Sequence, residues 1–124
     1  QYAALEALSS SNDFLNSNNS IFLKRRNLIL DKINSIKGLK CNRPQGAFYI
    51  FPSCNDLIGL KTPSSKIIKN SSDFCEYLLE EAGVAVVPGI AFGMENFLRI
   101  SYATSEKILM DACERIHTAC KKLN

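Results

Sequence analysis

Between Val84 and Thr104 the chain reads VAVVPGIAFGMENFLRISYAT, two runs of β-forming residues joined by a loop that carries Pro88, Gly89 and Gly93. The second run alternates, so that Leu98, Ile100 and Tyr102 point to one face of a strand and Phe97, Arg99, Ser101 and Ala103 to the other. This pattern commits the chain to a sheet, and it fixes one arginine in mid-strand among β formers. A guanidinium stays charged at any ordinary pH, and burying it unpaired would cost several kcal/mol, so the position calls for water or an anion. Two readings of Arg99 stay open on pattern alone: a cross-strand ion pair, to Glu95 or to a neighbouring helix, or a site that grips an anionic ligand.

The length limits how much can surround such a sheet. With 124 residues, 46% of them hydrophobic and 22% charged, the chain has material for one globular domain with a modest core. Its net charge of +3 arises from 15 basic and 12 acidic residues spread along the sequence, and only Lys24-Arg25-Arg26 and Lys121-Lys122 cluster. That balance argues against a nucleic-acid surface. No apolar run approaches the ~20 residues of a membrane span, and the first residues lack the basic region of a signal peptide, so a soluble chain is expected. It opens at Gln1 within a helical pattern, as an excised piece of a longer protein would. The five cysteines, Cys41, Cys54, Cys75, Cys113 and Cys120, include no C-x-x-C pair, which fits neither a disulfide framework nor a zinc knuckle. A reducing, cytoplasmic home follows as the expectation.

Along the chain, Tyr2, Ala4, Leu5 and Leu8 have helical spacing, and the Ser9 to Asp13 run breaks the pattern. From Asp13 to Lys37 the residues Phe14, Phe22, Ile29, Ile33 and Ile36 can share one face of a long helix ending at Gly38. Lys24, Arg25 and Arg26 read as a solvated basic face of that helix. Leu39 to Cys41 suggests a short strand. After the Arg43-Pro44-Gln45-Gly46 turn, Ala47 to Phe51 reads as a central strand stopped by Pro52. Residues 53 to 70 form a long excursion of a kind that tends to be mobile. Ser71, Ser72 or Asp73 is placed to cap a helix with Phe74, Tyr77, Leu78 and Leu79 on its core face, and Glu76 would complete a capping box with Asp73. Thr104 or Ser105 caps the last helix, whose stripe runs through Leu109, Ala112, Cys113, Ile116, Ala119, Cys120 and Leu123. The expected fold is α+β, a small mixed or antiparallel sheet covered by helices and preceded by a long helix.

Other chemical candidates are weak. Cys113, His117 and Cys120 could offer three metal ligands on one helical face, but both cysteines lie in the apolar stripe and no further ligand is evident. No serine has a nucleophile-elbow setting, so a catalytic triad around the single histidine has no support. The glycines of Pro88-Gly89-Ile90-Ala91-Phe92-Gly93 lack dinucleotide-binding spacing and lead into a strand. They either shape a site or merely permit positive φ.

Four segments in order, Arg43 to Pro52, Asp73 to Glu80, Val84 to Gly93 and Phe97 to Ser105, resemble the C-terminal part of class I, fold type I pyridoxal-phosphate aminotransferases, most closely the bacterial aspartate enzymes. Gln1 to Leu8 is similar to the helix that leaves the family's large domain, and Ile21 to Ile36 to its long interdomain helix. The resemblance implies that residues 1–38 link to a large domain and that 39–124 form the small domain. It implies that Arg99 holds the substrate α-carboxylate, with Phe48 and the Ala91-Phe92-Gly93 loop near the pocket mouth. It further implies a cytoplasmic homodimer that transfers an amino group from aspartate to 2-oxoglutarate, or one specific for prephenate, aromatic amino acids or alanine. The family's Schiff-base lysine, its ring-holding residues and its phosphate-binding residues have no counterpart here, so the fragment alone is expected to be inactive, with no catalytic or cofactor-binding residue of its own. A reading from another class is a non-catalytic module that captures a small carboxylate at Arg99.

Overall fold

The structure, a computed structural model, describes all 124 residues. Its elements are α1 (Tyr2–Ser9), α2 (Asp13–Asn34), β1 (Tyr49–Ile50), α3 (Ser71–Ala82), β2 (Val87–Pro88), β3 (Leu98–Ser101) and α4 (Glu106–Lys121), with 3-10 turns at Asn55–Leu57 and Gly89–Phe92. The three strands form one antiparallel sheet in the order β1-β3-β2, so the expected α+β class holds. Tyr49 pairs with Ser101 and Ile50 with Ile100 on one side of β3, and Val87 with Arg99 and Pro88 with Leu98 on the other.

The central strand is therefore β3, and β1, expected at the centre, lies at an edge. The prolines explain the shortness of both outer strands. Pro52 and Pro88 have no N–H to donate, which limits a ladder and suits an edge. Leu39 to Cys41 contributes only an isolated bridge, Lys40 to Ser53. The alternation of β3 is as expected: Leu98, Ile100 and Tyr102 are buried while Arg99 is half-buried on the opposite face.

One core lies beneath the sheet. Leu98 and Ile100 meet Phe74 and Leu78 of α3, Leu109 and Ile116 of α4, and Ile29 and Ile33 from the C-terminal half of α2, all in a single buried cluster. Each such side chain contributes roughly 1.5–3 kcal/mol by leaving water. The N-terminal half of α2 is different. Phe14, expected on the core face, is 51% exposed, and Leu15, Ile21 and Leu23 are exposed with it, as are Tyr2, Leu5 and Leu8 of α1.

Local chemistry shifts several boundaries. Helix α2 ends at Asn34, because that side chain turns to bracket Cys41, accepting from its N–H (2.8 Å) and donating to its carbonyl (3.1 Å). Gly38 thus falls in the turn beyond the helix end. The cap of α3 is Asn70, whose side chain accepts from the Asp73 N–H at 2.9 Å, while the Asp73 carboxylate accepts from Lys69 N–H at 2.9 Å. The capping pair lies three residues earlier than expected, with Asp73 reaching back to Lys69 N–H, and Glu76 pairs instead with Lys66. Leu79 is 55% exposed, and Cys75 fills the core position expected of it. Ser105 caps α4 by accepting from Ile108 N–H. The 53–70 excursion is pinned to the body by buried Cys54, Leu57, Thr62 and Ile68 and by backbone hydrogen bonds such as Lys61 N–H to Asn124 O at 2.6 Å.

Candidate functional site

The face of the sheet opposite the core carries Arg99, and aromatic rings surround it. Tyr49 pairs with Ser101, two residues along β3, which sets its ring diagonally across from Arg99 on the same face. The Gly89–Phe92 turn folds back so that Phe92 also meets the guanidinium. The Arg99 Cζ lies 4.5 Å from the Tyr49 ring centroid and 4.5 Å from that of Phe92. Phe51 meets Phe92 edge-on at 6.0 Å and stacks on Phe97 at 5.3 Å, extending the aromatic row. Rings on the faces of a guanidinium attract its charge yet leave its in-plane N–H donors free.

Those donors have no partner within the chain. None of the five ion pairs involves Arg99, and none of its nitrogens is shielded from water. The ion pair with Glu95 does not form. Glu95 Oε1 instead accepts from Ser71 Oγ (2.5 Å), Ser71 N–H (3.0 Å) and Asn96 N–H (3.1 Å), bonds that hold its carboxyl below the usual range, the Ser71 hydroxyl foremost. Arg99 is thus a cation packed between aromatic neighbours with donors open to water, a group able to pair with a planar carboxylate through two parallel hydrogen bonds.

Gly89 makes this geometry possible through close approach rather than positive φ. A Cβ there would stand 2.2 Å from the Met94 carbonyl and 2.7 Å from that of Phe97. Gly93 is the residue that uses its freedom, closing the turn at φ +73°. On the other flank, Tyr102 donates from its hydroxyl to Ala47 O at 2.8 Å, tying the segment before β1 to the end of β3. Burial pushes the Tyr102 phenol up, with nearby Arg26 acting against that shift.

Of the residues singled out from sequence, Arg99 and Phe92 come together, and Phe48 lies next to Tyr49 with ring centroids 4.6 Å apart. Tyr49 was missed. Its role follows from strand register, which no local pattern specifies. The basic run is not uniformly solvated: Lys24 pairs with Glu106 in solvent, whereas Arg25 and Arg26 are half-buried. Cys113 and Cys120 belong to the core, and no group of three His, Cys, Asp or Glu side chains is placed to hold a metal ion. No helix is long and apolar enough to cross a membrane.

A family model described as aminotransferase class I and II matches residues 1–116. The chain belongs to this aminotransferase family. It is 52% identical, over 124 residues, to the "probable aspartate/prephenate aminotransferase" of Rickettsia felis and to the "aspartate aminotransferase" of Rhizobium meliloti, covering 100% of this chain and 30% of each relative. The chain thus spans under a third of the length of these aminotransferases. The crystal structure of the aspartate aminotransferase from Rhizobium meliloti superposes with a TM-score of 0.94 at 52% identity, covering 98% of this chain and 30% of that one. An alanine aminotransferase from Pyrococcus furiosus gives 0.83 at 30% identity over 97% of this chain and 29% of that one. The fold is that of the corresponding part of these enzymes.

Aminotransferases of this family are generally pyridoxal-phosphate dependent. The residues around Arg99 do not fit that cofactor by themselves. Tyr49, Phe51 and Phe92 offer neither an amine to condense with its aldehyde nor a carboxylate for its ring nitrogen.

Proposed function

We propose that this chain is the carboxylate-gripping part of a pyridoxal-phosphate-dependent aminotransferase that moves an amino group from L-aspartate to 2-oxoglutarate. In this reading residues 1–38 lead to a larger, cofactor-bearing domain and residues 39–124 are the smaller domain. The observation that carries it is Arg99 itself: an arginine fixed by the central strand, faced by two rings and left without an anion in its own chain. A carboxylate seated on the open donors gains two charge-assisted bonds and is fixed in orientation as well as position. That orientation is what transamination needs from the small domain, since the Cα–H bond of the substrate must stand perpendicular to a conjugated ring for its electrons to delocalise. The bound cofactor supplies that electron sink. Tyr49 and Phe92 keep the guanidinium from swinging and displace water from its faces, which strengthens the grip.

The parent is proposed as a cytoplasmic homodimer. Its five free thiols accord with a reducing compartment, and the uncovered apolar side chains of α1 and the first half of α2 accord with a surface that meets further protein. A second acceptor, prephenate, has specific support in the name of the Rickettsia felis relative.

Steady-state kinetics of the full-length enzyme, with aspartate, glutamate, alanine and aromatic donors against 2-oxoglutarate and prephenate, test the reading. Aspartate is expected to have the highest kcat/KM, and Arg99→Lys to lower it by about two orders of magnitude, because lysine cannot make the planar double contact. A loss under about threefold would remove Arg99 from the substrate site.

A further inference from the structure

Two arginines that take no part in the Arg99 stack converge on a single neutral oxygen. Asn27 Oδ1, on the inner half of α2, accepts from Arg26 Nε (3.3 Å), Arg26 Nη2 (3.0 Å) and Arg43 Nη2 (3.3 Å). Arg26 Nη1 donates to Pro44 O at 3.2 Å, which locks its half-buried guanidinium against the 43–46 turn. An amide oxygen has two lone pairs and no net charge, so three donors from two cations oversubscribe it. Two guanidinium groups sharing one acceptor repel each other unless that acceptor is an anion, and planar N–H forks of this kind match carboxylate and phosphate oxygens. No carboxylate of the chain answers them. The ion pairs include neither Arg26 nor Arg43. The neighbouring Arg25 adds to the imbalance: it lies over the Phe22 ring at 5.6 Å, and its Nε is cut off from water without an acceptor.

We propose that Arg26 and Arg43 form a binding site for one oxyanion, a carboxylate or a phosphate, for which Asn27 Oδ1 is the neutral stand-in. The anion has two possible sources, a small anion from solution or a protein carboxylate from the more than two thirds of the relatives' length that this chain does not span.

Thermal unfolding of the 124-residue chain in chloride and in inorganic phosphate at matched ionic strength reads the site directly, since a ligand of the folded state raises the midpoint. A phosphate-dependent rise that disappears in Arg43→Ala, where an exposed side chain is removed, supports the site and assigns it to a free anion. Asn27→Asp installs a carboxylate where the amide oxygen stands. It is expected to raise the midpoint without phosphate by ~3–6 °C, a gain that Arg43→Ala cancels in the double variant. That gain with no phosphate response in the wild type supports the site and assigns it to a protein carboxylate. The proposal is overturned if neither phosphate nor Asn27→Asp raises the midpoint, if the phosphate response survives Arg43→Ala, or if the response is lost in Arg99→Lys.

Discussion

At the scale of single residues, Gly89 and Tyr102 set the flanks of the arginine site. Placing a methyl group on Gly89 drives it into two carbonyl oxygens, at 2.2 and 2.7 Å, that are part of the backbone and cannot rotate away. Gly89→Ala is therefore expected to destabilise the chain by about 2–4 kcal/mol, as overpacking against backbone does at its upper end, and to displace Phe92 from Arg99. Urea unfolding measures the first effect. Near-ultraviolet circular dichroism, which reports the packing of the aromatic row, measures the second; unchanged stability would contradict the close approach. Arg99 shows how far a single sequence carries at this scale. Alternation from Leu98 to Tyr102 placed it on the face away from the core, and that is where it lies. What alternation could not decide was its partner. Glu95 was the nearest acid in sequence, but the loop turns that carboxylate toward the start of α3, where a serine hydroxyl and backbone N–H groups outcompete an arginine on the strand.

At the scale of elements, Glu95 joins the 89–97 loop to the first turn of α3. Its folded pKa lies below the ordinary 4.5, so the unfolded chain takes up a proton more readily than the folded one. The bond to Ser71 therefore contributes fully above the unfolded value and is lost as pH falls through the folded one. Unfolding midpoints of the wild type are expected to drop below pH 4.5, and Glu95→Gln to flatten that part of the profile, which a pH series of thermal melts would record. An equally steep acid limb in Glu95→Gln would count against this linkage. Helix positions were legible from the periodicity of their apolar residues, and α4 follows its stripe with Leu109, Cys113, Ile116, Ala119 and Cys120 buried. Termini were harder, because they depend on competing side chains. Ser71, Ser72 and Asp73 were the expected caps of α3, but the structure uses Asn70, with Asp73 reaching back to Lys69 N–H. The central place of β3 was hidden for a different reason: strand order is decided by long-range pairing, and the run from Ala47 to Phe51 looks as apolar as any middle strand.

For the whole molecule, the five thiols report how tightly the core is closed. Burial pushes Cys54 and Cys120 up to about 12 and Cys75 and Cys113 to about 11, each from an ordinary 9.0. The folded chain thus keeps protons that the unfolded chain releases, and stability is expected to fall as pH rises above about 9. Under native conditions near pH 8 a thiol reagent should modify the half-buried Cys41 first and the other four only on unfolding, a count that mass spectrometry of the alkylated chain gives. Rapid modification of all five in the native state would mean an open core.

The buried end of helix α2, at Ile29 and Ile33, is seated in the core, while its other end runs out to Asp13 without cover. Between the two ends Phe22 still packs against the core and Arg26 is held to Pro44 O. At 1.5 Å per residue, the uncovered arm reaches ~13 Å from Phe22 out to Asp13. Phe22 packs on Phe48 with centroids 6.2 Å apart, Phe48 on Tyr49 at 4.6 Å, and Tyr49 faces Arg99 at 4.5 Å. A contiguous row of rings thus runs from α2 to the guanidinium.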